Sequence, residues 1–143
     1  MSSLCSGCFI AGLFADAPTK TAMDEKLPED ISSLLAIADG ALKSSYSSQK
    51  LSRAVAALEK ALQLLGKQPT DISPADIHEK LAITCFWAGE IEAKAALRLI
   101  WFLKGEDAAE AAIRERPNRV VGYYYLGVLK GRRIELRADE ILL

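Results

Sequence analysis

Leu51-Ser52-Arg53-Ala54-Val55-Ala56-Ala57-Leu58-Glu59-Lys60-Ala61-Leu62-Gln63-Leu64-Leu65 is the stretch that decides the fold class. Its apolar positions Leu51, Ala54, Val55, Leu58, Ala61, Leu62 and Leu65 advance by threes and single steps, which puts them on one face of an α-helix. Ser47 and Ser48 stand ahead of it as capping hydroxyls, and Gly66 closes it. Ala54, Leu58 and Ala61 form a small-large-small pattern, the arrangement that lets two antiparallel helices approach closely.

The same period recurs on both sides. Upstream, Ile31, Leu34, Leu35, Ala38 and Leu42 follow Glu29-Asp30. Downstream, Ser73-Pro74-Ala75-Asp76 sets a capping hydroxyl, a first-turn proline and an early acid in the order a helix start favours. Ile77, Leu81, Cys85 and Ala88 then hold one face apolar, Phe86 and Trp87 widen the stripe, and Gly89 is expected to end or kink the helix. An Ala-rich segment from about Ile91 to Arg116 follows, with a break expected near Lys104-Gly105 because glycine costs about 1 kcal/mol of helicity relative to alanine. Pro117 stops it. Val121, Tyr125, Val128 and Leu129 mark a fifth helix to about Lys130, and a sixth is expected from Arg133. No segment alternates with period two long enough to make a strand, so the class is all-α.

Composition fits a soluble globular chain: 143 residues, half of them hydrophobic and about a quarter charged, with a formal net charge of -1. From Arg114 onward seven Lys/Arg face four acids, a local excess of +3 that leaves -4 on the preceding residues. This near-neutral balance carries no electrostatic footprint of nucleic-acid binding.

Residues 1–27 read as a separate segment, and 28–143 as the helical domain. Leu4 to Ala15, twelve residues, is apolar but too short to span a bilayer as a helix. Met1-Ser2-Ser3 lacks the charge of a secretory signal, and Ala15-Asp16-Ala17 imitates a cleavage site only until Pro18. Leu4-Cys5-Ser6-Gly7-Cys8 resembles the lipobox of bacterial lipoproteins, which would make Cys8 a lipid anchor and the membrane a partner through that anchor alone. A signal remnant or a plain tail is the alternative. Cys5 and Cys8 also spell Cys-x-x-Cys, but neither His78 nor Cys85 completes a metal-ligand spacing, and no βαβ pattern surrounds the pair.

No serine, cysteine or carboxylate pair forms a catalytic constellation, and no phosphate-loop or cofactor pattern is present, so a noncatalytic role is expected. His78, near a helix start, has no carboxylate, cysteine or serine placed to make it a base or a metal ligand, and reads as a surface residue. Cys85 falls in the apolar stripe and reads as a small buried hydrophobe. Trp87, Trp101, Phe102 and Tyr125 are the candidate ligand or partner surface, against the plainer reading of aromatics as core. Leu99-Ile100-Trp101-Phe102-Leu103 points all the way around a helix, so either helices sandwich it on two sides or part of it meets a partner.

Glu110-Ala111-Ala112-Ile113-Arg114-Glu115-Arg116-Pro117 resembles the second helix of a tetratricopeptide repeat, with Ala112 five positions before the terminating Pro117. Six residues beyond, Tyr123 and then Leu126-Gly127 answer the aromatic and the leucine-glycine pair with which the next repeat opens. The resemblance implies antiparallel helix pairs of degenerate repeat type forming a short right-handed array, packed through Ala54, Leu58, Ala61, Ala112, Pro117, Tyr123, Leu126 and Gly127. Leu126 and Gly127 should then lie buried against the helix that ends at Pro117. The longer pattern of Leu81-Ala82, Phe86-Trp87, Lys104-Gly105, Ala112, Pro117 and Tyr123-Tyr124-Tyr125-Leu126-Gly127 looks like the T components of tripartite periplasmic (TRAP) transporters.

That likeness implies a scaffold in the bacterial periplasm or cell envelope, lipid-anchored at Cys8, whose partner is a periplasmic substrate-binding protein. The runner-up is a cytoplasmic tetratricopeptide adaptor for peptides. A third reading is a carrier of a small apolar ligand in a closed cavity lined by Trp87, Trp101 and Tyr125. The family continues beyond this length, so the helix carrying Ile134, Leu136, Ile141, Leu142 and Leu143 reads as unfinished. Its last ten residues are expected to be poorly packed or docked on another copy, which makes homo-oligomerisation a further expectation.

Overall fold

The computed structural model describes residues 25–142. They form five α-helices: α1 (Ile31–Lys43), α2 (Ser48–Leu64), α3 (Pro74–Ile91), α4 (Ala95–Glu115) and α5 (Val120–Leu142). The class is all-α, with consecutive helices packed as adjacent antiparallel pairs. Beyond its two sequence neighbours α3 also touches α1 and α5, so it is the central element.

The caps read from sequence are in place. Asp30 accepts a hydrogen bond from the Ser33 amide at 2.8 Å to open α1. Ser47 accepts from the Lys50 amide at 3.2 Å to open α2, and Ser73 accepts from the Ala75 amide at 3.2 Å to open α3 ahead of Pro74. Each satisfies one amide that would otherwise lack a partner at a helix start. After α2, Gly66 takes φ +82°, the left-handed conformation that costs glycine least. The Lys67 and Gln68 amides then both donate to the Leu64 carbonyl and turn the chain toward α3.

Two expected interruptions are absent. α4 runs unbroken through Gly105, because that glycine is buried where α3, α4 and α5 meet: a Cβ there would lie 2.9 Å from a Leu129 methyl and 3.1 Å from the Cys85 Cβ. The close approach offsets the lost helix propensity. The fifth and sixth helices are one, α5, although Gly131 sits inside it. Both halves are held by the same neighbours, through buried Leu129 and Leu136 and through Arg132 to Glu90 on α3 and Arg133 to Glu106 on α4. Gly89 likewise does not end its helix, since α3 continues to Ile91.

The core is continuous from α1 to α5, and its largest fully buried side chains are Phe102, Leu34, Leu51, Leu58, Ile77 and Leu129. Ahead of α1 the chain already engages α2: Leu27 packs on the core, the Lys60 ammonium donates to the Leu27 carbonyl at 3.2 Å, and Arg53 donates to the Glu25 carbonyl at 2.9 Å. No helix of the described residues is long and apolar enough to cross a membrane. The lipobox-like residues and Cys8 lie outside the described residues.

Candidate functional site

A row of aromatic rings crosses from the turn between α1 and α2, over α3, to α5. Tyr46 stacks on Trp87 with ring centroids 4.7 Å apart. Trp87 meets Phe86 edge-on at 5.1 Å, Phe86 meets Tyr125 at 6.0 Å, and Tyr125 meets Tyr124 at 5.2 Å. Offset and edge-to-face contacts of this kind suit the ring quadrupoles and add about 0.5–1.5 kcal/mol per pair to simple burial. The inner rings of Phe86, Trp87 and Tyr125 are half-buried, whereas the ends are open, Tyr46 at 38% and Tyr124 at 61% exposure. Burial, then the neighbouring Tyr124 and Tyr46, pushes the Tyr125 hydroxyl above its ordinary pKa, so it stays a neutral hydrogen-bonding group.

Chain separation hides this row. Tyr46 and Tyr124 are at its two ends, and only helix packing makes them members of one surface. Of the sequence candidates, Trp87 and Tyr125 belong to it. Trp101 is half-buried against the core from α4 and pairs with no other aromatic ring among the described residues. Phe102 is fully buried and is no surface residue: its ring fills the space beside Gly89, where a Cβ would come within 3 Å of three ring atoms. Thus Trp101 makes no ring contact with Trp87 or Tyr125, and the Phe102 ring fills the α3–α4 contact beside Gly89.

The Leu99–Leu103 run divides between the two readings. Phe102 faces the core and Leu99 and Trp101 pack at its edge, while Ile100 and Leu103 are open at 55% and 43%, together with Leu97 one turn earlier at 41%. Neighbouring helices cover one side only.

The residues expected to pack the repeats also divide. Ala54, Leu58, Ala61 and Ala112 are buried. Leu126 is half-buried against the core, but Pro117 and Gly127 are exposed and Tyr123 is 50% exposed. A Cβ on Gly127 would meet nothing within 4 Å, so the expected burial of the Leu126-Gly127 pair is half wrong. The close approach to α4 belongs instead to Gly122, whose Cβ would meet Ile113 at 2.9 Å and the Ala109 carbonyl at 3.3 Å. The reason is phase: five residues turn a helix by 500°, so positions 122 and 127 point to different sides.

Ion pairs tie the helices to one another. Asp76 in the first turn of α3 accepts from Arg116 Nη1 at 2.8 Å and Nη2 at 3.2 Å, and from Arg119 at 3.1 Å. The Arg116 hydrogen bonds, against a smaller desolvation effect, hold the Asp76 carboxyl below its usual range. Buried Glu79 pairs with Arg119 at 3.2 Å, and buried Glu106 accepts from Arg133 Nε at 2.7 Å. His78 is not an unpartnered surface residue: its Nδ1 lies 3.0 Å from Glu115 Oε2, a carboxylate 37 positions away that sequence neighbourhood could not reveal. Cys85 is buried as read, and burial pushes its thiol up to about 12 despite the nearby Lys104. Among the described residues no group of three or more His, Cys, Asp or Glu is arranged to hold a metal ion.

Comparison with protein-family models, with curated proteins and with solved structures finds no match to this chain.

Proposed function

We propose that the chain is a noncatalytic scaffold that binds an extended segment of a partner protein across the aromatic row. The continuity of that row carries the reading. Five rings from three separate parts of the chain form one half-exposed surface, and aromatic rings supply large contact area at low conformational cost, which is why they are enriched where proteins are recognised. A partner segment rich in apolar or proline side chains, lying in extended form over Tyr46, Trp87 and Tyr125, suits the flat ring faces.

We read the adjacent antiparallel helix pairs as degenerate tetratricopeptide architecture in a short right-handed array, a reading that fits the same role because helix-pair arrays of that kind present extended binding faces. Placement in the bacterial envelope, with Cys8 as lipid anchor and a periplasmic substrate-binding protein as partner of a TRAP T-component-like scaffold, rests on the Leu4–Cys8 pattern and the Ala112-to-Gly127 spacing. The cytoplasmic adaptor is the alternative. An apolar leader encoded ahead of Met1, together with lipid found on Cys8 by mass spectrometry, favours the envelope; unmodified Cys8 in a chain without a leader favours the adaptor.

The binding reading is tested by fluorescence. The chain has two tryptophans, so in a Trp101→Phe background emission reports Trp87 alone. Extended apolar and proline-rich peptides are expected to shift that emission saturably, and Tyr46→Ala or Tyr125→Ala to weaken the effect with helical circular dichroism retained. Peptides that bind equally well after both substitutions, or none that shift the emission, would sink the proposal.

A further inference from the structure

We infer that α5 is a self-association helix, which pairs in parallel with the α5 of a second copy of this chain. Val120, Tyr124, Gly127, Gly131, Ile134 and Ala138 succeed one another at steps of four, three, four, three and four, the spacing of a heptad seam. None of the six is buried within the chain. Val120 is 76% exposed, Tyr124 61% and Ile134 63%, Gly127 and Ala138 are exposed, and Gly131 is partly so. A Cβ on either Gly127 or Gly131 would meet nothing within 4 Å among the described residues, so these glycines serve no contact between the described helices, unlike Gly89, Gly105 and Gly122. Small residues in the middle of a seam let two helix backbones come close, with the larger Val120, Tyr124 and Ile134 packing toward its ends.

Charge selects the occupant and its direction. One flank of the seam carries Lys130 and Arg137, and the other carries Glu135, all three exposed. In a parallel two-fold pair each flank faces the opposite flank of the other helix, which sets Lys130 against Glu135 of the second copy, five residues further on. An antiparallel pair would oppose the Lys130 and Arg137 flank to itself. Within one chain Lys130 is only loosely engaged, 3.8 Å from Glu110, whereas Glu135 accepts from Arg132 at 2.8 Å in a pair that stays open to solvent, at 40% and 63% exposure. The seam is thus complementary to its own copy when the two run in the same direction. One helix pair is a small interface, at the low end of specific protein contacts, so reversible association at concentrations of about ten to a few hundred micromolar is expected.

Sedimentation equilibrium of the full chain over that range tests this. A monomer–dimer equilibrium is expected, weakened at least about tenfold by Gly127→Arg, a change that open space around Gly127 allows the single chain to accept. Lys130→Glu should weaken association, and Lys130→Glu combined with Glu135→Lys should restore it. With Cys5 and Cys8 replaced by serine, Ile134→Cys should give a disulfide-linked dimer on mild oxidation, because parallel pairing places the two copies of position 134 side by side. A chain that stays monomeric throughout, a dimer indifferent to Gly127→Arg, or a dimer that fails to cross-link at position 134 would each overturn the inference.

Discussion

The ring of Phe102 on α4 lies in the space that a side chain at position 89 of α3 would occupy. This pairing of the largest fully buried side chain with a glycine sets how closely the two longest-contacting helices approach. Gly89→Ala should therefore destabilise the protein by about 1–3 kcal/mol through overpacking, less the gain of up to about 1 kcal/mol that alanine brings to a helix interior. A lower midpoint in urea with an unchanged slope is the expected result. An unchanged or raised midpoint would show that the ring can move aside freely.

Gly127 gives the opposite expectation. Among the described residues nothing lies within 4 Å of where its Cβ would be, so Gly127→Ala should stabilise the monomer by about 0.5–1 kcal/mol through helix propensity alone. The measurement belongs at low micromolar concentration, where association does not contribute. Destabilisation would mean that position 127 packs against the chain after all.

Asp76 links the start of α3 to Arg116 and Arg119, beyond α4, and its carboxyl is held below the ordinary aspartate value, mainly by the Arg116 hydrogen bonds. A carboxyl with a lowered folded-state pKa stabilises the fold above its unfolded value, and the contribution fades as pH falls through the folded value. Asp76→Asn should accordingly lower the thermal midpoint at pH 7, with the difference from the parent shrinking steadily below about pH 3.8. A difference independent of pH would assign the loss to packing or capping rather than to charge.

The Cys85 thiol is buried, with its pKa pushed up to about 12. Because the thiolate is the reactive form, Cys85 should resist alkylation at pH 8 in the folded chain and react only once the protein is unfolded. Peptide mapping after pulsed labelling with iodoacetamide checks this. Rapid native labelling would indicate local opening between α3 and α4.

The helical class, the caps at Asp30, Ser47 and Ser73, and the buried faces of α1 to α3 are legible in the chain itself. Those features depend on residues within a turn or two of each other, where the 3.6-residue period and local hydrogen bonding act directly. The remaining features arise from how the helices pack. Gly105 reads as a break because glycine lowers local helicity, and the chain between Lys130 and Arg133 reads as a helix boundary, yet contacts from other helices hold both stretches helical. Phe102 and Trp87 look alike in sequence, but Gly89 gives one ring an interior place and Tyr46 gives the other a stacking partner on the surface. His78 found Glu115, and Gly122 rather than Gly127 met α4, because which side of a helix faces a neighbour depends on the packing of whole elements. Each outcome joins residues far apart in the chain, and a local reading of one sequence carries no distance between them.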